Sequence, residues 1–207
     1  MLKGLSFEIK GGEKIGIVGR TGAGKSTVSL SLTRIVEICD GYILIDGHNI
    51  ADISLEQLRQ KVTIIPQDPT LFTGSLRFNI DPENLSSDSE IKSLLFKAGL
   101  DHLSSRDLLS LEITENGENL SSGEKSLICI CRAILRKNRV VILDEATANI
   151  DLVTEQKIQS LINEEFKDCT VLTIAHRLQT IIQSDKILVL SDGKTEEFDT
   201  PEELLKK

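Results

Sequence analysis

The chain has 207 residues, 40% of them hydrophobic, which suits one domain or one domain with a subdomain. Lysines and arginines number 24 against 32 aspartates and glutamates, so the net charge is −8. This acidic balance argues against a nucleic-acid partner, because such binding depends on cationic contacts to phosphates. No apolar stretch approaches the roughly 20 residues that cross a bilayer, and no signal-peptide pattern opens the chain. We therefore expect a soluble domain that is not secreted.

Cysteine usage gives a further prediction about the compartment. Cys39, Cys129, Cys131 and Cys169 form no CxxC pair, and only three histidines are available to complete a metal site. We therefore expect reduced thiols in the core of a cytosolic domain.

The first 69 residues are predicted to alternate strands with helices. Residues 5–9 alternate apolar and polar side chains, as in a strand with one exposed face. Residues 14–19 form a short apolar run without alternation, which predicts a strand buried on both faces. The further predicted elements are a helix over 24–36, a strand over 42–47, a helix over 54–60 capped by Ser54, and a strand within 61–67 that Pro66 stops.

The sequence pattern changes between residues 70 and 137. Residues 88–100 and 121–137 predict helices that open with serine or aspartate near an acidic residue, and no strand is predicted there. Alternation then resumes, with strands in 139–146, 169–176 and 186–193 and helices over 151–166, near Leu178 and over 200–207. Strands that alternate with helices imply parallel pairing, so the fold class is an α/β sandwich with an inserted helical subdomain.

The segment GRTGAGKST, residues 19–27, lies between the buried strand and the following helix, and it fits the pattern G-x-x-x-x-G-K-[ST]. Glycines let backbone N–H groups face a phosphate, and the helix directs its positive dipole end to the same place. Lys25 supplies a positive charge for the β- and γ-phosphates, and Ser26 offers a hydroxyl to Mg²⁺. The predicted nucleotide-binding residues of this loop are Gly19, Arg20, Thr21, Gly22, Ala23, Gly24, Lys25, Ser26 and Thr27.

A second element is the segment VVILDEAT, in which four apolar residues precede Asp144 and Glu145. They place Asp144 at the carboxyl end of a buried strand, where ligands bind in parallel sheets. Asp144 is predicted to hold Mg²⁺ through water, and Glu145 to orient and deprotonate the attacking water. Downstream of a phosphate loop, these two acidic residues are a specific indication of a nucleotide site. Alone, they would be a weak one.

A third element, NLSSGEKS (residues 119–126), opens a helix and so provides a second N-terminus suited to an anion. It resembles the LSGGQ signature of ATP-binding cassette (ABC) proteins. Six motifs of that family follow in order: Walker A, the Q-loop with Gln67, the signature, Walker B, the D-loop at Ala148–Asp151 and the H-loop with His176. The sequence is thus similar to an ABC transporter nucleotide-binding domain over its whole length, and most closely to the second such domain of subfamily C, the multidrug-resistance-associated proteins.

The resemblance implies a P-loop NTPase sandwich with a mainly parallel core sheet, an antiparallel β edge and an inserted helical subdomain. The implied catalytic core comprises residues 1–69 and 138–207, and the helical subdomain comprises residues 70–137. The implied activity is hydrolysis of ATP with Mg²⁺, coupled to transport. The implied location is the cytoplasmic face of a membrane, and the implied direction is export.

The implied mechanism places two such domains head to tail around two ATP molecules. Ser121 and Gly123 would act on the ATP held by the partner domain. His176 would contact the γ-phosphate and help to position Glu145, and Gln67 would contact Mg²⁺ or water and couple the site to transmembrane domains. The expected partners are a second nucleotide-binding domain and those transmembrane domains, with no nucleic acid.

Three departures from the family pattern affect these expectations. The signature reads Leu-Ser-Ser-Gly-Glu, and the carboxylate of Glu124, near a γ-phosphate, is expected to weaken the partner site. The family's adenine-stacking aromatic is expected upstream of residue 2, and Tyr42 stands in the wrong place for it. The segment before the signature is short and lacks the usual proline and glycines, so the partner-facing loop is expected to differ.

Two other functions stay open. A soluble ABC ATPase of DNA repair or translation would carry long coiled coils or basic extensions, which this sequence lacks. A non-hydrolysing domain that binds ATP as a switch is disfavoured by Glu145 and His176, but Glu124 and the unassigned aromatic leave it open.

Overall fold

The computed structural model describes residues 2–103, 107–145, 150–175 and 178–206. The chain divides into two compact units. The first comprises Met1–Ile64, Asn138–Glu145 and Asp168–Lys207, and the second comprises Ile65–Lys137 and Ala146–Lys167. The predicted subdomain boundaries differ from these units mainly in α6 (Leu152–Glu165), which contacts α5 (Ser122–Leu135) and groups with the second unit.

Short strands and helices make up the regular structure of the described residues. In chain order, the strands are β1 (Lys14–Gly19), β2 (Leu44–Ile45), β3 (His48–Asn49), β4 (Val62–Ile65), β5 (Gly74–Ser75), β6 (Glu112–Ile113), β7 (Val140–Asp144), β8 (Thr170–Ile174), β9 (Lys186–Ser191) and β10 (Lys194–Asp199). The α-helices are α1 (Lys25–Leu32), α2 (Leu55–Lys61), α3 (Leu76–Ile80), α4 (Asp88–Lys97), α5, α6, α7 (Leu178–Ile181) and α8 (Pro201–Leu204).

A sheet of six described strands, in the order β10-β9-β1-β8-β7-β4, forms the centre of the first unit. β1 pairs in parallel with β8 and β9, and β7 pairs in parallel with β8. β10 runs antiparallel to β9 at one edge. This arrangement confirms the predicted α/β class with a mainly parallel sheet and an antiparallel edge, although the sequence pattern does not locate the antiparallel strand itself.

The core of the first unit explains why its central strands are apolar without alternation. Ile15 and Ile17 of β1 and Ile142 of β7 are almost fully buried, and Val28 of α1 belongs to the same cluster. Parallel strands with both faces covered require apolar side chains on both faces. The sheet is therefore held by burial on its two faces, and its carboxyl edge is left for polar residues.

The second unit is mainly helical. α5 contacts α3, α4 and α6, and the buried side chains Leu95 and Ile128 belong to α4 and α5. Arg132 of α5 donates from Nε to the carbonyl of Asn79 at 2.6 Å, which ties the helix to α3. The prediction that residues 70–137 lack strands is wrong, because β5 and β6 pair there as a two-stranded ladder. Strands of two residues are too short to give an alternating pattern.

The predicted strand over residues 5–9 is also wrong, since residues 2–10, all of them described, adopt no regular secondary structure. Leu5, Phe7 and Ile9 are nevertheless half-buried against the core, and the rings of Phe7 and Phe198 lie 5.7 Å apart. The alternation therefore reports one buried face, which an extended chain can provide without a hydrogen-bonded ladder.

Helix α1 ends at Leu32, four residues before the predicted end. Arg34 has a left-handed conformation (φ 50°), and the N–H of Ile35 donates to the carbonyl of Leu30 at 2.9 Å, which is the Schellman pattern that closes a helix. The Arg34 guanidinium also donates to the carbonyls of Ile50 and Ile53. Tertiary contacts thus stabilise a helix end that carries no glycine.

Other predicted elements are found with altered bounds. The strand predicted over 42–47 is reduced to β2, and the final helix to α8. Ser54 caps α2 as predicted, accepting a hydrogen bond from Gln57 N at 3.2 Å. Among the described helices, none is long and apolar enough to cross a membrane.

Three of the four cysteines are buried and one is exposed. Cys129, Cys131 and Cys169 lie in the interior, and burial raises the pKa of the Cys131 thiol to about 12. Cys39 is exposed, so the prediction of a core thiol is wrong at that position. All four are free thiols.

Candidate functional site

The loop between β1 and α1 is closed by its own lysine. Lys25, the first residue of α1, is buried, and its Nζ donates to the carbonyl of Gly19 at 3.0 Å and lies 3.5 Å from that of Arg20. The ammonium group therefore lies across the loop, between the end of the strand and the start of the helix. Thr21 and Gly22 are exposed.

Close packing explains the glycines at both ends of this loop. A Cβ on Gly19 would stand 2.4 Å from the carbonyl oxygen of Leu190 in β9, a distance that a real side chain does not tolerate. Gly24, the N-cap of α1, has φ 106°, and a Cβ there would stand 2.6 Å from Leu2 Cδ2. The loop shape therefore requires glycine at both positions, and the first-turn amides of α1 stay free of side-chain caps.

The acidic pair lies at the carboxyl edge of the same sheet. Asp144 ends β7 and is half-buried, and the register places it level with Ile17 of β1, both being paired with Ile174 of β8. Because one strand separates β1 from β7, this level places their backbones about 10 Å apart. The carboxylate and the phosphate loop therefore share one edge.

Glu145 has an unusual backbone conformation for a glutamate. Its φ is 50°, in the left-handed region, and its N–H donates to the carbonyl of Ile174 at 3.0 Å. Such a conformation costs a non-glycine residue on the order of 1 kcal/mol or more and is held here by the continued ladder. The backbone of Glu145 is thus fixed at the point where β7 ends.

The signature segment begins helix α5 with a complete capping box. Ser121 Oγ accepts from Glu124 N at 3.2 Å, and Glu124 Oε2 accepts from Ser121 N at 2.7 Å. The second carboxylate oxygen, Oε1, lies 2.8 Å from His102 Nε2, and His102 Nδ1 lies 3.0 Å from the carbonyl of Gly99. Both oxygens of Glu124 are therefore engaged within the unit.

These contacts shift the pKa values of Glu124 and His102. Burial acts to raise the pKa of Glu124, but hydrogen bonds from the Ser121 backbone and from His102 hold that pKa below its usual value. The hydrogen bond to Glu124 raises the pKa of His102. The sequence alone does not single out His102, because it lies 22 residues before its partner and no spacing rule connects them.

Gly123 is buried where α5 approaches α6. A Cβ at this position would stand 2.7 Å from Thr154 Cγ2 and 3.5 Å from Thr154 Cβ. Asp151 caps α6 through Thr154 N at 3.0 Å, so Thr154 is held in place. The signature glycine therefore serves the packing of α5 on α6.

We expect Gly123→Ala to destabilise the protein by about 1–3 kcal/mol, because the added methyl group overlaps Thr154. Urea unfolding monitored by circular dichroism measures the change. The matched control is Gly123→Ala with Thr154→Ser, which removes Cγ2 and should restore most of the loss. A double variant no more stable than Gly123→Ala alone would contradict this explanation.

The remaining predicted site residues are placed as follows. Gln67 is exposed, lies two residues beyond β4 and belongs to the second unit, as do Ser121 and Gly123. Ser26 is exposed in the first turn of α1. His176 and residues 148–149 of the D-loop lie outside the described residues. The structure thus brings the phosphate loop, Asp144 and Glu145 to one edge of the first unit.

The first unit combines a buried strand, a glycine loop closed by a lysine, and a helix with a second strand of the same sheet that has a carboxylate pair at its end. These features define a P-loop nucleotide-binding domain. The chain belongs to the ABC transporter family, whose profile matches residues 2–148. It is an ATP-binding domain of that family, a class whose members are generally ATPases.

Relatives support the subfamily. The chain is 54% identical over 207 residues to ATP-binding cassette sub-family C member 2 of Rattus norvegicus, covering 99% of this chain and 13% of the rat protein. It is 52% identical over 208 residues to ABC transporter C family member 3 of Dictyostelium discoideum, covering 99% of this chain and 15% of that protein. The resemblance to subfamily C is confirmed; which of its nucleotide-binding domains the chain matches stays a prediction.

A solved structure agrees with the fold. The structure of a bacterial Atm1-family ABC exporter with ATP bound matches with a TM-score of 0.91 and 38% identity, covering 99% of this chain and 36% of that one. The chain therefore spans only a small part of its curated relatives and about a third of this exporter chain.

Proposed function

We propose that this domain hydrolyses ATP and thereby powers an ABC exporter. The observation that supports the proposal most directly is the shared edge of the sheet, where Lys25 closes the phosphate loop, Asp144 ends β7 and Glu145 follows it. A cationic loop and a carboxylate pair at one edge are the two components that phosphoryl transfer to water requires.

In this proposal the residues have distinct roles. The backbone N–H groups of residues 19–27 bind the phosphates, and Lys25 neutralises charge on the β- and γ-phosphates. Glu145 takes a proton from the attacking water. His176 is proposed to contact the γ-phosphate, as the family resemblance implies.

Mg²⁺ fits the donors at this edge, since the Ser26 hydroxyl and the Asp144 carboxylate are oxygen ligands of the kind that this ion prefers. When bound, Mg²⁺ would neutralise charge on the phosphates. Ser26 would hold it directly, and Asp144 would hold it through water. Gln67 is proposed as a further ligand of the ion or of its water.

The active sites are proposed to be shared between two domains. Each ATP would lie between the Walker A loop of one domain and Ser121 and Gly123 of the other, and transmembrane domains would receive the resulting motion through the region of Gln67. The domain would then act at the cytoplasmic face of a membrane. The subfamily C resemblance and the match to an exporter support export as the direction.

We expect the isolated domain to be mainly monomeric without nucleotide and to dimerise with Mg·ATP. Carboxylates on two facing edges repel each other, whereas ligands that bridge the edges favour the dimer by mass action. Light scattering of Glu145→Gln with and without Mg·ATP tests this, because stalled hydrolysis preserves the bound state. Specific activity of the unmodified chain should also rise with protein concentration.

Lys25→Ala in the same background is the control, since a dimer that forms without a functional phosphate loop is not driven by this site. Specific activity that stays flat from nanomolar to micromolar concentrations, with a species that stays monomeric, would show that one chain holds a complete site. Hydrolysis absent at every concentration would instead favour the ATP-switch alternative.

A further inference from the structure

The signature segment makes a contact that its sequence motif does not specify, the pairing of His102 with Glu124. The capping box occupies the N–H groups of Ser121 and Glu124 but not those of Ser122 and Gly123, and these two, with the positive dipole end of α5, suit an anion. Glu124 adds a negative charge to this same turn. An unneutralised carboxylate at this place would oppose a phosphate.

The contacts of His102 specify its charge. Nδ1 faces the carbonyl of Gly99 and Nε2 faces the carboxylate of Glu124, and both of these oxygens only accept hydrogen bonds. A neutral imidazole carries one N–H and can satisfy only one of them. The geometry therefore fits the imidazolium form, which neutralises Glu124 and donates to both partners at once.

Other charged groups act on the pair in opposite directions. Asp101, in the turn that carries His102, favours the imidazolium. Lys157 of α6 places a positive charge near the same turn, since its Nζ lies 3.7 Å from the position that a Cβ on Gly99 would occupy, and a like charge disfavours the imidazolium. His102 itself is 60% exposed, so solvent exchanges protons with it freely.

We propose that His102 is a positioning residue for the signature segment: as an imidazolium it neutralises Glu124 and holds that carboxylate on Ser121 N, so that the first turn of α5 can receive an anionic phosphate. This inference rests on the proposed function of Ser121 and Gly123. It makes the site pH-dependent, because the interaction is complete below the raised pKa of His102 and is lost as the pH rises through it.

The first experiment does not depend on ATPase activity. An NMR titration of the imidazole of His102 in the nucleotide-free protein, assigned with His102→Gln, compares the unmodified chain with Glu124→Gln. A glutamine keeps the capping box but carries no charge. We expect the pKa of His102 to fall in Glu124→Gln; an unchanged pKa would overturn the pairing in solution.

The second experiment measures ATPase rate against pH. Glu145 and the nucleotide titrate in every variant and give all of them a common pH dependence. The informative quantity is therefore the ATPase rate of a variant divided by that of Glu124→Gln at the same pH. Between about pH 6 and about pH 8.5 we expect this ratio to fall roughly three- to tenfold in the unmodified chain. His102→Lys, which stays charged over this range, should retain the rate at high pH.

His102→Gln should be slow at both pH values, and His102→Gln with Glu124→Gln should behave as Glu124→Gln alone. A merely structural role for His102 would instead give additive losses and no pH step relative to Glu124→Gln, and it would overturn the inference. Lys25→Ala separates the two proposals: hydrolysis that survives it contradicts the proposed function, whereas Lys25-dependent hydrolysis without the coupling contradicts only the role of His102.

Discussion

Glu145→Gln is expected to bind Mg·ATP with nearly unchanged affinity and to hydrolyse it about 10²–10⁴ times more slowly, because glutamine keeps the shape of the side chain but takes no proton from water. The backbone supports this separation of effects. Glu145 N–H donates to the carbonyl of Ile174, a backbone bond that glutamine makes equally, and a φ of 50° is as accessible to glutamine as to glutamate.

The measurement is steady-state phosphate release together with a nucleotide titration. Glu196→Gln, which removes an exposed carboxylate from β10 in the same unit, is the matched control and should leave both quantities unchanged. Turnover of Glu145→Gln within a few-fold of the unmodified chain would remove Glu145 from the role of base. Asp144 and His176 would then be the candidates.

The parts of the candidate site whose position in the fold follows from the sequence are those with local structural requirements. The phosphate loop needs glycines where the backbone meets β9 and where φ is positive, and a lysine at the start of the helix, so the whole requirement falls within nine residues. Asp144 is similarly local, because four apolar residues before it place it at a strand end. These patterns determine both the element and its edge of the sheet.

The parts that the sequence does not predict depend on contacts between distant segments. Arg34 ends α1 through carbonyls of residues 50 and 53, and no glycine or proline marks that end. His102 meets Glu124 only because the turn after α4 lies beside the start of α5. The expectation that Glu124 weakens the signature considers the charge of one residue, whereas the structure shows that charge engaged by Ser121 and His102.

Patterns of apolar residues also predict which face of a segment is buried better than they predict whether the segment forms a hydrogen-bonded strand. The alternation at Leu5, Phe7 and Ile9 identifies the buried face correctly, yet no regular strand forms in residues 2–10. In β10 the reverse holds. Its residues Lys194–Asp199 are too polar for the sequence pattern to predict the six-residue strand. The strand forms because it pairs with β9, and as an edge strand it keeps much of its surface in solvent.

Lys25→Ala is expected to lose about one to two orders of magnitude in affinity for Mg·ATP, because charge-assisted hydrogen bonds to phosphate contribute roughly 1.5–3 kcal/mol each. Lys25→Met separates charge from packing. Methionine keeps an apolar stem in the buried position but carries no charge, so both variants should lose a similar affinity if the ammonium is what matters.

Lys14→Met is the matched control for the backbone contacts of the lysine. Lys14 Nζ also donates to two backbone carbonyls, those of Gly12 at 3.0 Å and Cys169 at 2.6 Å, but it lies at the opposite end of β1. Its loss should lower stability without changing nucleotide affinity, whereas Lys25→Met should change the affinity. Isothermal titration with Mg·ATP and a thermal unfolding curve for each variant distinguish the two effects. Equal affinities for all of the variants would contradict the assignment of residues 19–27 as the phosphate loop, because the ammonium of Lys25 would then contribute no more to nucleotide binding than one at the far end of the strand.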